Sequence, residues 1–312
     1  MNTVESNNNS RPRVAILGVT GMIGSGIYSV LKDSCSLVIT YRNPKKLAML
    51  YQRYGQSANC TAIQVNFSDW YTDYQTGFAG LTLSPAINKF QQELLECDWV
   101  INAMGVTKAI ATTDPTNTLF INGAVPHILA ALFNDRLIHI TTDCVFDGTE
   151  GAPYDENSPK RPVDLYGLSK MIGEPDSVLV VRCSTIGPEL GTKYGLLEWF
   201  LSQTNVVNGF TNHLWNGITA KELGHICGRL ISGRVMHPGP GIYHIFSEDV
   251  TKADMLKLFR QRFGTSVEVV DGEARVAIDR RLATHRSLNA KLALPAIETM
   301  VSELLPVGLT TE

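Results

Sequence analysis

The sequence predicts an α/β fold: a doubly wound parallel sheet, followed by a smaller and less regular domain towards the C-terminus. Three observations carry that expectation. Apolar runs of strand length alternate with helical patterns from Arg13 to Arg182. The runs are continuously apolar, as in Val14-Ala15-Ile16-Leu17, which suits strands covered by helices on both faces. Beyond Gly187-Pro188 the alternation gives way to shorter, mixed segments.

Composition narrows the class further. At 312 residues the chain can bury a sizeable core as one large domain or two moderate ones. Hydrophobic residues at 44% against charged residues at 18% exclude a disordered polymer. A net charge of −3 with no Lys/Arg run gives no footprint for nucleic acid. Met1 to Ser10 is polar and lacks an apolar leader pattern, so it is expected to be a tail. No stretch is expected to reach the ~20 apolar residues of a membrane helix, and a cytoplasmic location without membrane contact follows. Six cysteines without C-x-x-C spacing point to free thiols and no metal site.

Taken in order, the elements gather their polar signals at strand ends. The first strand, Arg13 to Gly18, runs through the turn Gly18-Val-Thr-Gly21-Met22-Ile23-Gly24 into a helical pattern reaching Leu31. Glycines so placed let the backbone approach a phosphate, with a pyrophosphate at the helix N-terminus. The second strand, Ser36 to Tyr41, ends where an acidic residue would take a free ribose 2′-hydroxyl and an arginine a 2′-phosphate. Arg42, with Lys45 and Lys46 beyond it, favours NADP over NAD. Thr61 to Val65 leads into Asn66 and Phe67, a strand end suited to an adenine edge. Trp99 to Ala103 leads into Met104-Gly105, where small residues leave room for a cofactor. A helical run from Leu119 to Phe133 precedes the strand Leu137 to Thr142, which closes in Thr142-Asp143-Cys144.

Next comes a proline-rich loop, Gly151 to Pro162, and then a helix carrying Tyr166 and Lys170 to about Glu174. Residues i and i+4 share one helix face, so the ammonium is expected to pull the phenol pKa down from ~10 and make it a usable acid. A hydroxyl at Thr142 could then bond the same carbonyl oxygen. In the remainder, Ser177 to Arg182 and Gly241 to Ile245 read as strands, Val267 to Val270 as a short one. Gly191 to Ser202, Lys221 to Ile231 and Lys252 to Phe263 read as helices, and Val206 to Thr219 as a mixed loop with His213, Trp215 and Asn216.

Together the glycine turn, the stretch Thr141-Thr142-Asp143-Cys144-Val-Phe146-Asp147-Gly148 and the stretch Tyr166-Gly-Leu-Ser-Lys170-Met-Ile-Gly-Glu174 resemble the extended short-chain dehydrogenase/reductases. More narrowly, the chain resembles the sugar-nucleotide reductases of the dTDP-4-dehydrorhamnose reductase family, from about Arg13 to about Ala296. The resemblance implies a Rossmann-type sheet with a smaller C-terminal substrate-binding domain. Residues 1–11 would be a tail, 12–187 the dinucleotide-binding domain, and 188–312 mostly substrate-binding, interleaved with the last strands. It implies NADPH as cofactor, with NADH as the alternative, and reduction of a nucleotide-linked 4-keto-6-deoxy sugar in the biosynthesis of a surface polysaccharide or another glycosylated product.

In that family's terms Tyr166 is the general acid, Lys170 lowers its pKa and holds the nicotinamide ribose, and Thr142 orients the carbonyl beside Asp143. Gly18, Gly21, Met22, Ile23 and Gly24 would wrap the pyrophosphate and Arg42 the 2′-phosphate. Asn66 and Phe67 would border the adenine, and Ala103, Met104 and Gly105 the ribose and nicotinamide. Asn122 matches a structural or proton-relay asparagine. Trp215 and Asn216 would meet the substrate's base or diphosphate, and a homodimer is the assembly the resemblance allows.

Two departures bear on substrate identity. Relatives commonly carry tyrosine where this chain has Cys144, and an aromatic within the stretch here reading Cys183-Ser-Thr-Ile-Gly187. Cys144 has two readings: a small residue behind the strand end, or an acid/base thiol of an epimerase-reductase. Some proteins of this kind also serve as nucleotide-binding regulatory subunits without using the catalytic pair.

Overall fold

The computed structural model describes residues 11–71 and 85–305, so most of the expected N-terminal tail lies outside the described residues. Six strands alternate with helices in the first part of the chain: β1 (Arg13–Leu17), β2 (Ser36–Tyr41), β3 (Cys60–Gln64), β4 (Trp99–Asn102), β5 (Leu137–Thr142) and β6 (Leu179–Cys183). A seventh strand, Gly241–His244, joins the edge from the C-terminal half. All pair in parallel, in the order Gly241–His244, β6, β5, β4, β1, β2, β3. The strand order reverses between β1 and β4, and the crevice beside their carboxyl ends is where such sheets bind ligands.

Alternation along β1 shows why the strands read as continuously apolar. Val14 and Ile16 enter one core cluster, with helices Met22–Leu31, Ala220–Ile231 and Lys252–Phe263 contributing, while Ala15 and Leu17 enter a second on the opposite face with Phe90, Leu129 and Phe133. Both faces of the sheet are therefore dry.

The helical run before β5 is longer than expected. It starts at Pro115, passes through a π-helical turn at Phe120–Ala124 and continues as Val125–Phe133. Contrary to the sequence expectation, Pro115–Arg136 is long and apolar enough to cross a membrane by length and composition, with a mean hydropathy of 1.2. Its apolar residues Phe120, Val125, Leu129 and Phe133 are buried in the second core cluster, as in the core helix of a folded domain.

The segment expected as a mixed loop, Val206 to Thr219, is instead three short strands. Val207–Phe210 pairs with Val269–Gly272, His213–Trp215 with Val250–Thr251 and Ile278–Asp279, and Ile218–Thr219 with Thr185–Ile186. Their partners lie far away in sequence, so local pattern gave no sign of them. The helix expected from Gly191 begins only at Leu196, because Gly191 sits at φ 71° and Gly195 is extended at φ −78°, ψ 157°. All six cysteines are free.

Candidate active site

A cleft runs along the carboxyl ends of β1, β2, β3 and β4, with a cavity of about 520 Å³. Gly18, Gly21, Met22, Arg42, Asn66, Phe67, Ala103, Met104 and Gly105 line it, in the places the sequence suggested. Its floor is built from backbone. Gly18 adopts φ 75°, and the Gly18 carbonyl accepts from the Gly21 amide at 3.0 Å, which curls the turn under the N-terminus of helix Met22–Leu31. A Cβ on Gly24 would collide with the Gly18 carbonyl, so the turn tolerates nothing larger there. Gly24 thus shapes the loop from below, and Ile23 packs against the first core cluster; neither lines the cavity. The Gly18 amide donates to Thr40 Oγ1 at 3.0 Å, which ties the loop to the end of β2. Arg42 is exposed, lines the cavity together with Lys46 and makes no ion pair among the described residues. Phe67 is mostly a core residue, stacked edge-on with Trp70 and Phe90.

The second wall is the helix Leu165–Ile172. Its first turn is fixed by Asp164, whose carboxylate accepts from the Gly167 amide at 2.8 Å and pairs with Lys108 at 2.7 Å. That places Tyr166 in the first turn against Thr142, outside the residues that line the cavity, and Lys170 one turn on, buried, its Nζ donating to the Met104 carbonyl at 3.2 Å. A Cβ on Gly105 would stand 2.8 Å from Lys170 Nζ, so only glycine lets the lysine lie across this loop.

Asn122, set by the π turn, locks the two walls together. Its Oδ1 accepts from the Val106 amide at 2.8 Å, and its Nδ2 donates to the Val106 carbonyl and to Ser169 Oγ, each at 3.0 Å. π turns recur at such sites because they reposition a side chain without ending the helix.

At the end of β5, Thr142 Oγ1 accepts from the Cys144 amide at 3.2 Å and donates to Asp143 Oδ1 at 3.1 Å. The Thr142 side chain also reaches the Tyr166 phenol, where its hydrogen bond favours the phenolate.

The electrostatics differ from the sequence expectation. Burial pushes the Tyr166 phenol above its ordinary value, and Cys144 and Asp143 add to the rise; Lys170 is not among the main influences. Lys170 itself is lowered to about 8 by burial, partly offset by Glu174. The two side chains share a helix face, but the ammonium turns to the Met104 carbonyl and does not bond the phenol. Burial likewise raises Asp143, with Arg280 opposing, and pushes the Cys144 thiol up to about 12.

Residues 13–304 match the family described as the RmlD substrate binding domain. The chain belongs to that family. It is 27% identical over 209 residues to a probable low-salt glycan biosynthesis reductase, Agl14, of Haloferax volcanii, covering 61% of this chain and 68% of the relative. It is 40% identical over 141 residues to a dTDP-4-keto-6-deoxy-D-glucose reductase of Streptomyces niveus, covering 40% of this chain and 46% of that one. The latter match thus spans less than half of the relative. Among solved structures, a dTDP-4-dehydrorhamnose reductase of Bacillus anthracis in complex with NADP superposes with a TM-score of 0.64 at 17% identity, over 94% of this chain and 98% of that one. Family and relatives bear out the resemblance to the extended short-chain dehydrogenase/reductases and the expectation of an oxidoreductase.

Several residues of the cavities were not visible in the sequence. Glu189, Leu190, Thr192 and Tyr194 line the larger one from the C-terminal half. Glu189 accepts from Thr192 Oγ1 and from the Tyr194 amide, both at 2.8 Å, which shapes this strap. A second, smaller cavity of about 170 Å³ is lined by His213, Trp215, Lys252, Met255 and Arg280, among others. Arg280 has no carboxylate within ion-pair distance among the described residues; its Nη1 lies 3.7 Å from Cys144 Sγ and its Nε is buried without a partner. Lys252 stands over the Trp199 and Phe210 rings at 5.3 and 5.1 Å. Asn216 lies behind this cavity. It is buried, and its amide is engaged with Asp249 and with both the carbonyl and the amide of Leu282. His213, Trp215 and Asn216 were singled out in the sequence, whereas the strap residues carried no signal beyond the glycines around them.

Proposed function

We propose that this chain is an NADPH-dependent reductase of a nucleotide-linked 4-keto-6-deoxy sugar. The reading rests above all on Tyr166 standing against Thr142 while Lys170, one helix turn on, donates to the carbonyl of Met104, a lining residue of the glycine-floored cleft. A bound nicotinamide cofactor would supply the hydride.

The residues present fit such a cofactor: the turn from Gly18 to Gly24 is too tightly packed for a Cβ at either glycine and leaves bare backbone at the helix N-terminus, and the cavity above it has the volume of an extended ligand. In this assignment Gly18, Gly21 and Met22 hold the pyrophosphate, Arg42 with Lys46 the 2′-phosphate, and Asn66 and Phe67 the adenine edge. Ala103, Met104 and Gly105 border the ribose and nicotinamide, and Lys170 donates to the ribose hydroxyls.

Tyr166 then acts as the acid. Its raised pKa keeps the phenol protonated at working pH, and the proton passes from its oxygen to the carbonyl oxygen as the carbon becomes a secondary alcohol. The resulting phenolate regains a proton from solvent. Thr142, aligned by Asp143 and the Cys144 amide, orients the carbonyl. Arg280 and Lys252 supply positive charge for the substrate's diphosphate beside Trp215. Cys144 is assigned no base role, since a thiol at about 12 does not ionise near neutral pH.

NADPH oxidation followed by absorbance, with dTDP-, UDP-, GDP- and CDP-linked 4-keto-6-deoxy sugars, tests the proposal. Turnover with one nucleotide is expected. NADPH binding without turnover across the panel would replace the reductase with a nucleotide-binding regulatory subunit. Arg42→Ala is expected to weaken NADPH roughly tenfold and NADH hardly at all, because one charge-assisted contact to the 2′-phosphate is lost; equal losses refute the 2′-phosphate assignment.

A further inference from the structure

Behind the Met104 loop lies a buried pair that neither the catalytic nor the cofactor assignment uses. Asn102 ends β4, His139 sits in the middle of β5, and both are essentially inaccessible to solvent. Asn102 Oδ1 accepts from the Met104 amide at 3.1 Å, and its Nδ2 stands 3.0 Å from His139 Nδ1. The chemistry of these groups leaves one arrangement. A backbone amide can only donate, so it fixes the Asn102 oxygen on its own side. The Asn102 NH₂ then faces the ring and can only donate, so His139 Nδ1 is an acceptor and the ring's proton sits on Nε2. Nε2 makes no hydrogen bond, although the Gly173 carbonyl at the end of the Tyr166 helix acts on the ring.

In the next peptide unit the Met104 carbonyl accepts from Lys170 Nζ at 3.2 Å, and the Met104 side chain lies against Gly18. The backbone on the two sides of one residue thus joins the core pair to the lysine and to the glycine turn.

We propose that His139 is a positioning residue for Lys170: the neutral ring, acting through Asn102, fixes the amide of Met104 and so the backbone of that residue, whose carbonyl in the next peptide holds the lysine ammonium. A protonated ring would put N–H against N–H at Asn102 and turn the amide away from Met104. Burial opposes that protonation, lowering the His139 pKa to about 3, so the arrangement persists across the working range. The charged groups facing the assembly are Glu174, just beyond the end of the lysine's helix, which favours the ammonium, Lys170 itself, which opposes protonation of His139, and His127 on the neighbouring helix, which does the same.

The test needs no sugar substrate, so it stands or falls separately from the proposed reaction. His139→Gln keeps an acceptor for the Asn102 NH₂, whereas His139→Leu removes it. NMR titration of Lys170 Nζ, thermal melting and NADPH binding are measured on the full chain for both variants. His139→Leu is expected to move the Lys170 midpoint below its wild-type value and to weaken NADPH about fivefold, the scale of one lost hydrogen bond. His139→Gln is expected to restore both.

Equal effects of the two variants, tracking only their melting temperatures, would reduce His139 to a packing residue. An unchanged Lys170 midpoint in a folded His139→Leu protein would refute the coupling. Should His139→Leu not fold, long-range ¹⁵N NMR of the wild-type ring still decides: the proton belongs on Nε2, and finding it on Nδ1 overturns the proposal.

Discussion

The two cavities of the cleft are built from different materials. The larger cleft is largely backbone: Gly18 bends at φ 75°, a Cβ on Gly105 would meet Lys170 Nζ, and the backbone of Gly18 and Met104 is tied to Thr40, Asn102 and Lys170. The cavity beside Cys144 is lined by larger side chains, drawing Trp215, Lys252 with Met255, and Arg280 from three separate segments. A backbone-built site depends on a fold and serves any protein that keeps it. A side-chain site can be rewritten one residue at a time, and Cys144 lies beside it, its Sγ 3.7 Å from Arg280 Nη1.

The comparison makes predictions that can break it. The largest effect belongs to the residue between the two cavities. Tyr166→Phe removes a proton and little shape, so turnover should fall by roughly 10²–10⁴, the range of general acid catalysis, with NADPH affinity unchanged in equilibrium titration. Gly105→Ala should come next: its new Cβ meets Lys170, and overpacking of ~1–3 kcal/mol should appear as roughly ten- to a hundredfold weaker NADPH binding. If alanine is accepted without loss, the floor is not set by backbone proximity.

Arg280→Met should do the reverse, raising KM for the sugar nucleotide about tenfold, as expected for a charge-assisted hydrogen bond, while sparing NADPH. A variant that weakened both ligands equally would merge the two cavities into one. The smallest effect is expected at Cys144→Ser, within about twofold in turnover because the thiol stays protonated. Deuterium incorporation next to the former ketone, lost in this variant, would restore the thiol as a base.

A pH prediction sharpens the contrast further. Lys170 lies below the ordinary lysine value, at about 8, so its positive charge is complete at lower pH and is lost as pH rises through 8. NADPH affinity should therefore decline above pH 8, and isothermal titration at pH 7 and 9 would show it. The phenol, held high by burial, should contribute nothing in that window.

The same division explains what the sequence revealed. The glycine turn, Arg42, the strand ends and the Tyr166 helix were legible because each is a local pattern joined to a strand whose neighbours follow in order. Lys252–Phe263 was even bounded correctly, and the structure shows a Thr251–Asp254 capping box at its start. What escaped detection was non-local. The three strands between Val207 and Thr219 exist only through partners 30 to 70 residues away at most, or earlier in the chain, and Asn216 looked like a loop ligand until its amide was found tied to Leu282. Spacing also placed Tyr166 and Lys170 on one face but could not show that the ammonium would turn to Met104.

The measurement that bears most directly on the reductase is isotope transfer. NADPH deuterated at C4 of the nicotinamide, incubated with the chain and the panel of keto sugar nucleotides, should deliver deuterium to the former keto carbon of one product, in wild type and far more slowly in Tyr166→Phe. Oxidation of the cofactor with no deuterium on that carbon, or no oxidation with any member of the panel, would contradict the account.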